Sequence, residues 1–256
     1  MPEELLIAVA VGNTRTRWGL MRGRELDESA AAPNDDLAAI VSGILKVGEA
    51  IHEAPIVIAS VNPAVSDGLA SRLEDAGGGR VLRIGEDIAI PLKHDLDDAT
   101  TLGQDRALCA LAAFKRAGQA CVVVDAGTAV TVDFIDGEGV FQGGVIAPGA
   151  AMMLRALSEQ TAALPPLKFE PPDPSRGPFG KDTRHAMLLG VRNALRGLVR
   201  DTVEQFAEQF GAYPQIIATG GDAAALFAED DVIEHIVPEL HLLGIAEACV
   251  VEREEG

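Results

Sequence analysis

The chain lacks the marks of export, of thiolate metal binding and of nucleic-acid binding. It has three cysteines, Cys109, Cys121 and Cys249, far apart in sequence and with no CxxC pair. Neither a disulfide framework nor a cysteine metal site is expected, and the thiols read as buried and reduced. No apolar run approaches the roughly 20 residues that cross a bilayer. The N-terminal run is acidic where a signal peptide is basic, and it ends in a glycine turn rather than a cleavage site. A cytoplasmic protein is expected. Positive charge is also scarce, with 21 Lys and Arg against 39 Asp and Glu, a formal charge of −18. A nucleic-acid backbone is held by clustered lysine and arginine, so nucleic acid is excluded as the main partner. A free nucleotide is not, because local backbone N–H groups and a divalent cation can hold a polyphosphate. The five histidines are scattered, without a metal-ligand partner at helical spacing.

What is present is a globular composition, 48% hydrophobic and 23% charged over 256 residues, enough for one large α/β domain or two of ordinary size. Leu5 to Val11 reads as a buried strand that turns at Gly12-Asn13-Thr14 and returns through Arg15 to Met21. Half a chain later, Cys121 to Val124 turns at Asp125-Ala126-Gly127-Thr128 and returns through Ala129 to Ile135, followed by Asp136-Gly137 and a third strand, Val140 to Ile146. The recurrence predicts two topologically similar halves. Helices are predicted over Leu37 to Glu49, Val65 to Ala76, Gly103 to Ala117 and about Asp182 to Gln209, with strands at Ile56 to Ser60 and Gln215 to Ala218. In the longest helix, Met187, Val191, Leu195, Leu198, Thr202 and Phe206 form a core stripe. The proline- and glycine-rich Glu170 to Gly180 reads as a loop.

A strand that ends in a glycine turn with hydroxyl or amide side chains can aim several N–H groups at a phosphate, since glycine allows close backbone approach. One such turn is an ordinary hairpin. Two, at equivalent points of two halves, point to a nucleotide held from both sides of a cleft, with Thr219-Gly220-Gly221 as a third turn for the nucleoside. Asp105 and Arg106 open a helix, where an acid also suits the helix dipole. Phosphoryl transfer needs a positioned hydroxyl and a carboxylate within proton reach, which gives Asp105 a second reading.

The motifs resemble those of the actin, hexokinase and heat-shock ATPase superfamily, and within it the type III pantothenate kinases. D-x-G-T-A-x-T-x-D is complete as Asp125 to Asp133. G-x-D-R stands as Gly103-Gln104-Asp105-Arg106, and G-G-x-I-x-P-G as Gly143 to Gly149. D-x-G-N-T stands as Ala10-Val11-Gly12-Asn13-Thr14. The resemblance implies two actin-like, ribonuclease H-like α/β domains, 1–112 and 113–256, flanking an ATP cleft. It implies ATP-dependent phosphorylation of pantothenate, with Mg²⁺ and a monovalent cation, K⁺ or NH₄⁺, in a homodimer. By the same resemblance Asp105 is the general base, and Gly103, Gln104, Arg106, Thr183 and Leu96 lie on the pantothenate side. Ala10, Val11, Gly12, Asn13, Thr14, Arg17, Gly127, Thr128, Gly220 and Gly221 lie on the ATP side, and Asp125 binds the monovalent cation.

The chain departs from the pattern in three places. Alanine stands at position 10 where the motif has aspartate, arginine at position 17 where lysine is usual, and Leu96 where a tyrosine is usual. The first removes an anionic anchor for Mg²⁺. Two other outcomes therefore accompany the kinase expectation: a nucleotide-binding regulator related to the Bvg accessory factor group, or a kinase of another small alcohol.

Overall fold

The computed structural model of the protein describes residues 5–49 and 54–255. The chain divides into two compact units, Met1–Gly118 with Gly139–Phe141 and Glu239–Gly256, and Gln119–Glu138 with Gln142–Pro238.

The first unit opens with β1 (Leu5–Val11), β2 (Arg15–Arg22) and β3 (Glu25–Pro33), then α1 (Leu37–Glu49), β4 (Ile56–Ser60), α2 (Pro63–Asp75), β5 (Val81–Arg83), β6 (Lys93–His94) and α3 (Gln104–Ala117). Its five-stranded sheet runs β3-β2-β1-β4-β5, with β1 antiparallel to β2 and parallel to β4. The central strand is apolar throughout because both of its faces are covered, and Leu6 to Val9 are buried. On one face Ile7, Val9, Val11 and Trp18 pack with Ile40 and Ile44 of α1 and Leu69 and Leu73 of α2. Pro63 suits the first helical turn of α2, where its missing N–H is not needed. Gly118, at φ 63°, closes α3 in the left-handed conformation that favours glycine.

The second unit contains β7 (Cys121–Ala126), β8 (Ala129–Ile135), β9 (Val140–Pro148), α4 (Ala150–Glu159), α5 (Thr183–Phe210), β10 (Gln215–Thr219), α6 (Ala223–Phe227) and β11 (His235–Ile236). Only the first two residues of β9, Val140 and Phe141, lie in the first unit, where they pair with β6. The sheet is six-stranded, with β6 beyond β9, and its other five strands, in the order β9-β8-β7-β10-β11, repeat the order β3-β2-β1-β4-β5, again with an antiparallel first pair and parallel later strands. The two expected halves are thus one topology used twice. Of the expected α5 stripe, Met187, Val191, Leu195 and Thr202 are buried and Leu198 and Phe206 half-buried, and Val199 and Val203, which the stripe did not include, join the core with Val122, Val124 and Phe134.

The chain ends with α7 (Leu240–Glu255), which belongs to the first unit. A Cβ at Gly244 would lie 2.3 Å from the Leu108 carbonyl oxygen, so the glycine lets α7 cross α3 at close range. The sequence division at 112/113 differs from this arrangement: 112 lies inside α3, and residues 239–256 group with the first half. Strands β3, β5, β6 and β11 and helices α4 and α7 are not among the elements expected from the sequence. Among the described residues no helix is long and apolar enough to cross a membrane.

Candidate active site

In the first unit, β1 delivers its glycine turn at the end of a buried strand. The Gly12 amide donates to the Arg15 carbonyl at 3.0 Å, which closes the turn and leaves Asn13 and Thr14 exposed. Asn34, just past β3, braces it: its Nδ2 donates to the Gly12 carbonyl at 2.8 Å and its Oδ1 accepts from Thr16 Oγ1 at 2.8 Å. Its own amide donates to the Thr14 carbonyl at 3.0 Å. Ala10 is half-buried and pairs with Arg17 across the β1–β2 ladder. Residues directly opposite in an antiparallel pair project from the same face, so Arg17 rises beside Ala10. Arg17 Nη1 donates to Glu239 Oε1 at 3.1 Å.

The Gly103-to-Arg106 motif lies at the start of α3. Asp105 Oδ1 accepts from the Arg106 amide at 2.8 Å, and a Cβ at Gly103 would meet that oxygen at 2.5 Å. Gln104 turns the other way: its Oε1 accepts from the Ser60 amide at 3.0 Å and its Nε2 donates to the Ile84 carbonyl at 2.9 Å. Both ends of that amide are used in joining α3 to the ends of β4 and β5. The Arg106 guanidinium lies 5.5 Å from the centre of the buried Phe141 ring, and the Asp95 amide donates to the Phe141 carbonyl at 2.9 Å. Phe141, not singled out from the sequence, therefore links Arg106 to the segment that carries the half-buried Leu96. The neighbouring acids Asp95, Asp97 and Asp98 are exposed. Asp98 accepts from the Thr100 hydroxyl at 2.6 Å and amide at 3.0 Å, and these bonds hold its carboxyl below the usual range.

In the second unit, three glycine segments converge. The Gly127 amide donates to the Ala129 carbonyl at 2.9 Å, closing the second turn, and Thr128 is exposed on it. The Gly149 amide donates to the Thr128 carbonyl at 3.1 Å. The Thr219-Gly220-Gly221 turn lies against the same loop, since Thr219 pairs with Asp125 in the β10–β7 ladder and the Asp222 amide donates to the Ala126 carbonyl at 2.9 Å. Gly220 has φ +93°, and a Cβ there would lie 2.3 Å from the Ala126 oxygen and 2.4 Å from Asp125 Oδ1. Both oxygens press on the Gly220 backbone, so this turn has room only for glycine. Burial pushes the Asp222 carboxyl above its usual range. Thr183 is exposed at the first position of α5, after the cap residue Asp182, whose carboxylate accepts from the His185 amide at 2.8 Å. The thiol of Cys121 is pushed up to about 12 by burial.

Asp105, Arg106, Leu96 and the first-loop residues thus lie in the first unit. Asp125, Gly127, Thr128, Thr183, Gly220 and Gly221 lie in the second. Sequence reasoning missed Asn34, Phe141 and Glu239, because each acts through a partner remote in sequence.

Two units of repeated topology, each with a glycine turn at the end of its first strand, give the chain the two-domain α/β fold of the hexokinase and actin-like class. A ROK hexokinase from Thermus thermophilus has this fold at TM-score 0.52 and 14% identity, covering 98% of this chain and all of that one. A Baf family protein from Campylobacter jejuni has it at TM-score 0.62 and 20% identity, covering 97% of this chain and 100% of its own. The particular family follows from sequence: the family described as type III pantothenate kinase matches residues 6–205. The type III pantothenate kinase of Rhodospirillum rubrum is 34% identical over 251 residues, 94% of this chain and 96% of its own. The chain belongs to the type III pantothenate kinase family.

Proposed function

We propose that this chain transfers the γ-phosphoryl group of ATP to the 4′-hydroxyl of pantothenate. The products are ADP and 4′-phosphopantothenate, in the first step of coenzyme A biosynthesis. Family membership across residues 6–205 carries the reading. The intact Asp105-Arg106 motif at the start of α3 supports it.

The acceptor hydroxyl oxygen forms a bond to the γ-phosphorus as the bond to the ADP oxygen breaks, and the hydroxyl proton passes to the Asp105 carboxylate. Arg106, steadied over Phe141, pairs with the pantothenate carboxylate, and Thr183 hydrogen-bonds the same substrate. Amides and hydroxyls of the Gly12-to-Thr14 and Gly127-Thr128 turns hold the phosphates, and the Gly220-Gly221 turn borders the nucleoside. A divalent cation bound with ATP would supply neutralisation of the developing phosphate charge. Asp125 would hold the monovalent cation, K⁺ or NH₄⁺, as the resemblance implies. We assign the chain to the cytoplasm as a homodimer, as the resemblance implies.

The test is ADP release with ATP and Mg²⁺, with and without pantothenate, in potassium and in sodium buffer. Pantothenate-dependent release, faster in potassium, is expected. Nucleotide binding without pantothenate-dependent release would overturn the reading.

A further inference from the structure

The two phosphate turns of this chain differ at one chemically decisive point. Two residues before the turn glycine, the second unit has Asp125 and the first has Ala10. The first turn therefore lacks, on its own strand, the carboxylate that its counterpart keeps. The residue across the ladder from Ala10 is a cation, Arg17, and its guanidinium is held at 3.1 Å by Glu239, at the entrance to α7. That contact brings a carboxylate from the far end of the sequence to the face of β1 and β2 from which Ala10 projects. Arg17 occupies only Oε1. The other oxygen of Glu239, Oε2, is enclosed and makes no hydrogen bond. Enclosed carboxylate oxygens are ordinarily paired, so this one, on the side chain that Arg17 holds, keeps its capacity to accept from a ligand.

We propose that Glu239 supplies the metal-facing carboxylate that position 10 lacks: Arg17 fixes the side chain through Oε1, and Oε2 accepts from the water shell of the divalent cation that accompanies ATP. Mg²⁺ suits this arrangement, since it keeps several waters and takes few protein carboxylates. The inference rests on the ATP reading above and deepens it. Glu239 is a positioning residue, acting on the cation rather than on the reacting atoms.

The test is calorimetric affinity for a non-hydrolysable ATP analogue, in Mg²⁺ and in EDTA, for wild type, Glu239→Gln, Ala10→Asp and Ala10→Asp/Glu239→Gln, with thermal unfolding alongside. Glu239→Gln is expected to weaken binding about tenfold in Mg²⁺ and hardly in EDTA, the scale of one charge-assisted contact. Ala10→Asp, placed on the same face, is expected to restore most of the Mg²⁺-dependent part in the double variant. If Glu239 only neutralises Arg17, Glu239→Gln will instead tighten binding in both buffers, because the freed guanidinium attracts phosphate. That result overturns the proposal, as does an equal loss in both buffers or a double variant without recovery. A wild type that binds no analogue removes the ATP reading itself, whereas a binding wild type with any of those three results removes this inference alone.

Discussion

Gly149 is packed so closely on Gly127 that an added Cβ would lie 2.1 Å from the Gly127 carbonyl oxygen, while the Gly149 amide donates to Thr128 at 3.1 Å. The start of α4 thereby sets the conformation of the second glycine turn, Gly127-Thr128. A methyl group at this point has to push the turn itself, since the atoms it meets are backbone. Gly149→Ala is expected to reduce ATP affinity about tenfold or more and to destabilise the fold by about 1 to 3 kcal/mol, the range for overpacking. Calorimetric ATP binding together with urea unfolding checks both, and unchanged affinity would show that the turn does not depend on Gly149.

Asn34 performs the matching service for the first turn through its bonds to Gly12 and Thr16. Asn34→Ala leaves the Gly12 carbonyl and the buried Thr16 hydroxyl without that partner. A loss of about 1 to 3 kcal/mol in stability is expected. Steady-state kinetics should show KM for ATP rising more than KM for pantothenate, because the brace is on the phosphate turn.

Asp105 and Gln104 are neighbours with different expected effects. Asp105→Asn keeps the shape of the side chain but cannot accept the hydroxyl proton, so turnover should fall by about 10² or more with ATP affinity nearly unchanged. Gln104→Leu breaks two buried-edge hydrogen bonds to Ser60 and Ile84 and should act mainly on stability, lowering it by about 1 to 3 kcal/mol. Thermal unfolding and initial rates on both variants separate the roles. Undiminished turnover in Asp105→Asn would identify another base.

Asp222 gives a pH dependence whose sign follows from burial. Its folded pKa lies above the unfolded value, so ionisation is disfavoured in the folded state. Its stabilising contribution is present below the unfolded pKa and is lost as pH rises through the folded one. Asp222→Asn should therefore raise the midpoint of thermal unfolding at pH 7, and the gain should vanish below about pH 4. A gain that is the same at both pH values would contradict this cause.

All three cysteines are buried, and the Cys121 thiol is pushed up to about 12. The thiolate is the reactive form, so none should be modified by a thiol reagent in the native protein at pH 8, and all should react in denaturant. Mass spectrometry after short exposure reads the difference.

Much of the fold was legible because its signals are local. A continuous apolar run followed by a glycine turn and a second run defines β1–β2 and again β7–β8, and residues 37–49 form the predicted α1. Strand β3 escaped because it is an edge strand, mostly exposed and carrying Glu25, Asp27 and Glu28, so it shows no apolar run. The motif residues of both turns were legible for the same reason as the strands, since glycine, hydroxyl and carboxylate types recur at short fixed spacing.

The sequence by itself determined the repeated hairpins, the glycine turns at their ends and the family to which the chain belongs. Only the tertiary structure decided that α7 returns to the first unit, that Gln104 ties backbone while Asp105 remains beside it, and that Glu239 reaches Arg17 across most of the chain's length. Local motifs follow from backbone preferences and side-chain periods of a few residues. The partner of a charged group is instead chosen by which distant elements pack together, and that depends on the burial of whole helix and sheet faces rather than on any short run of residues.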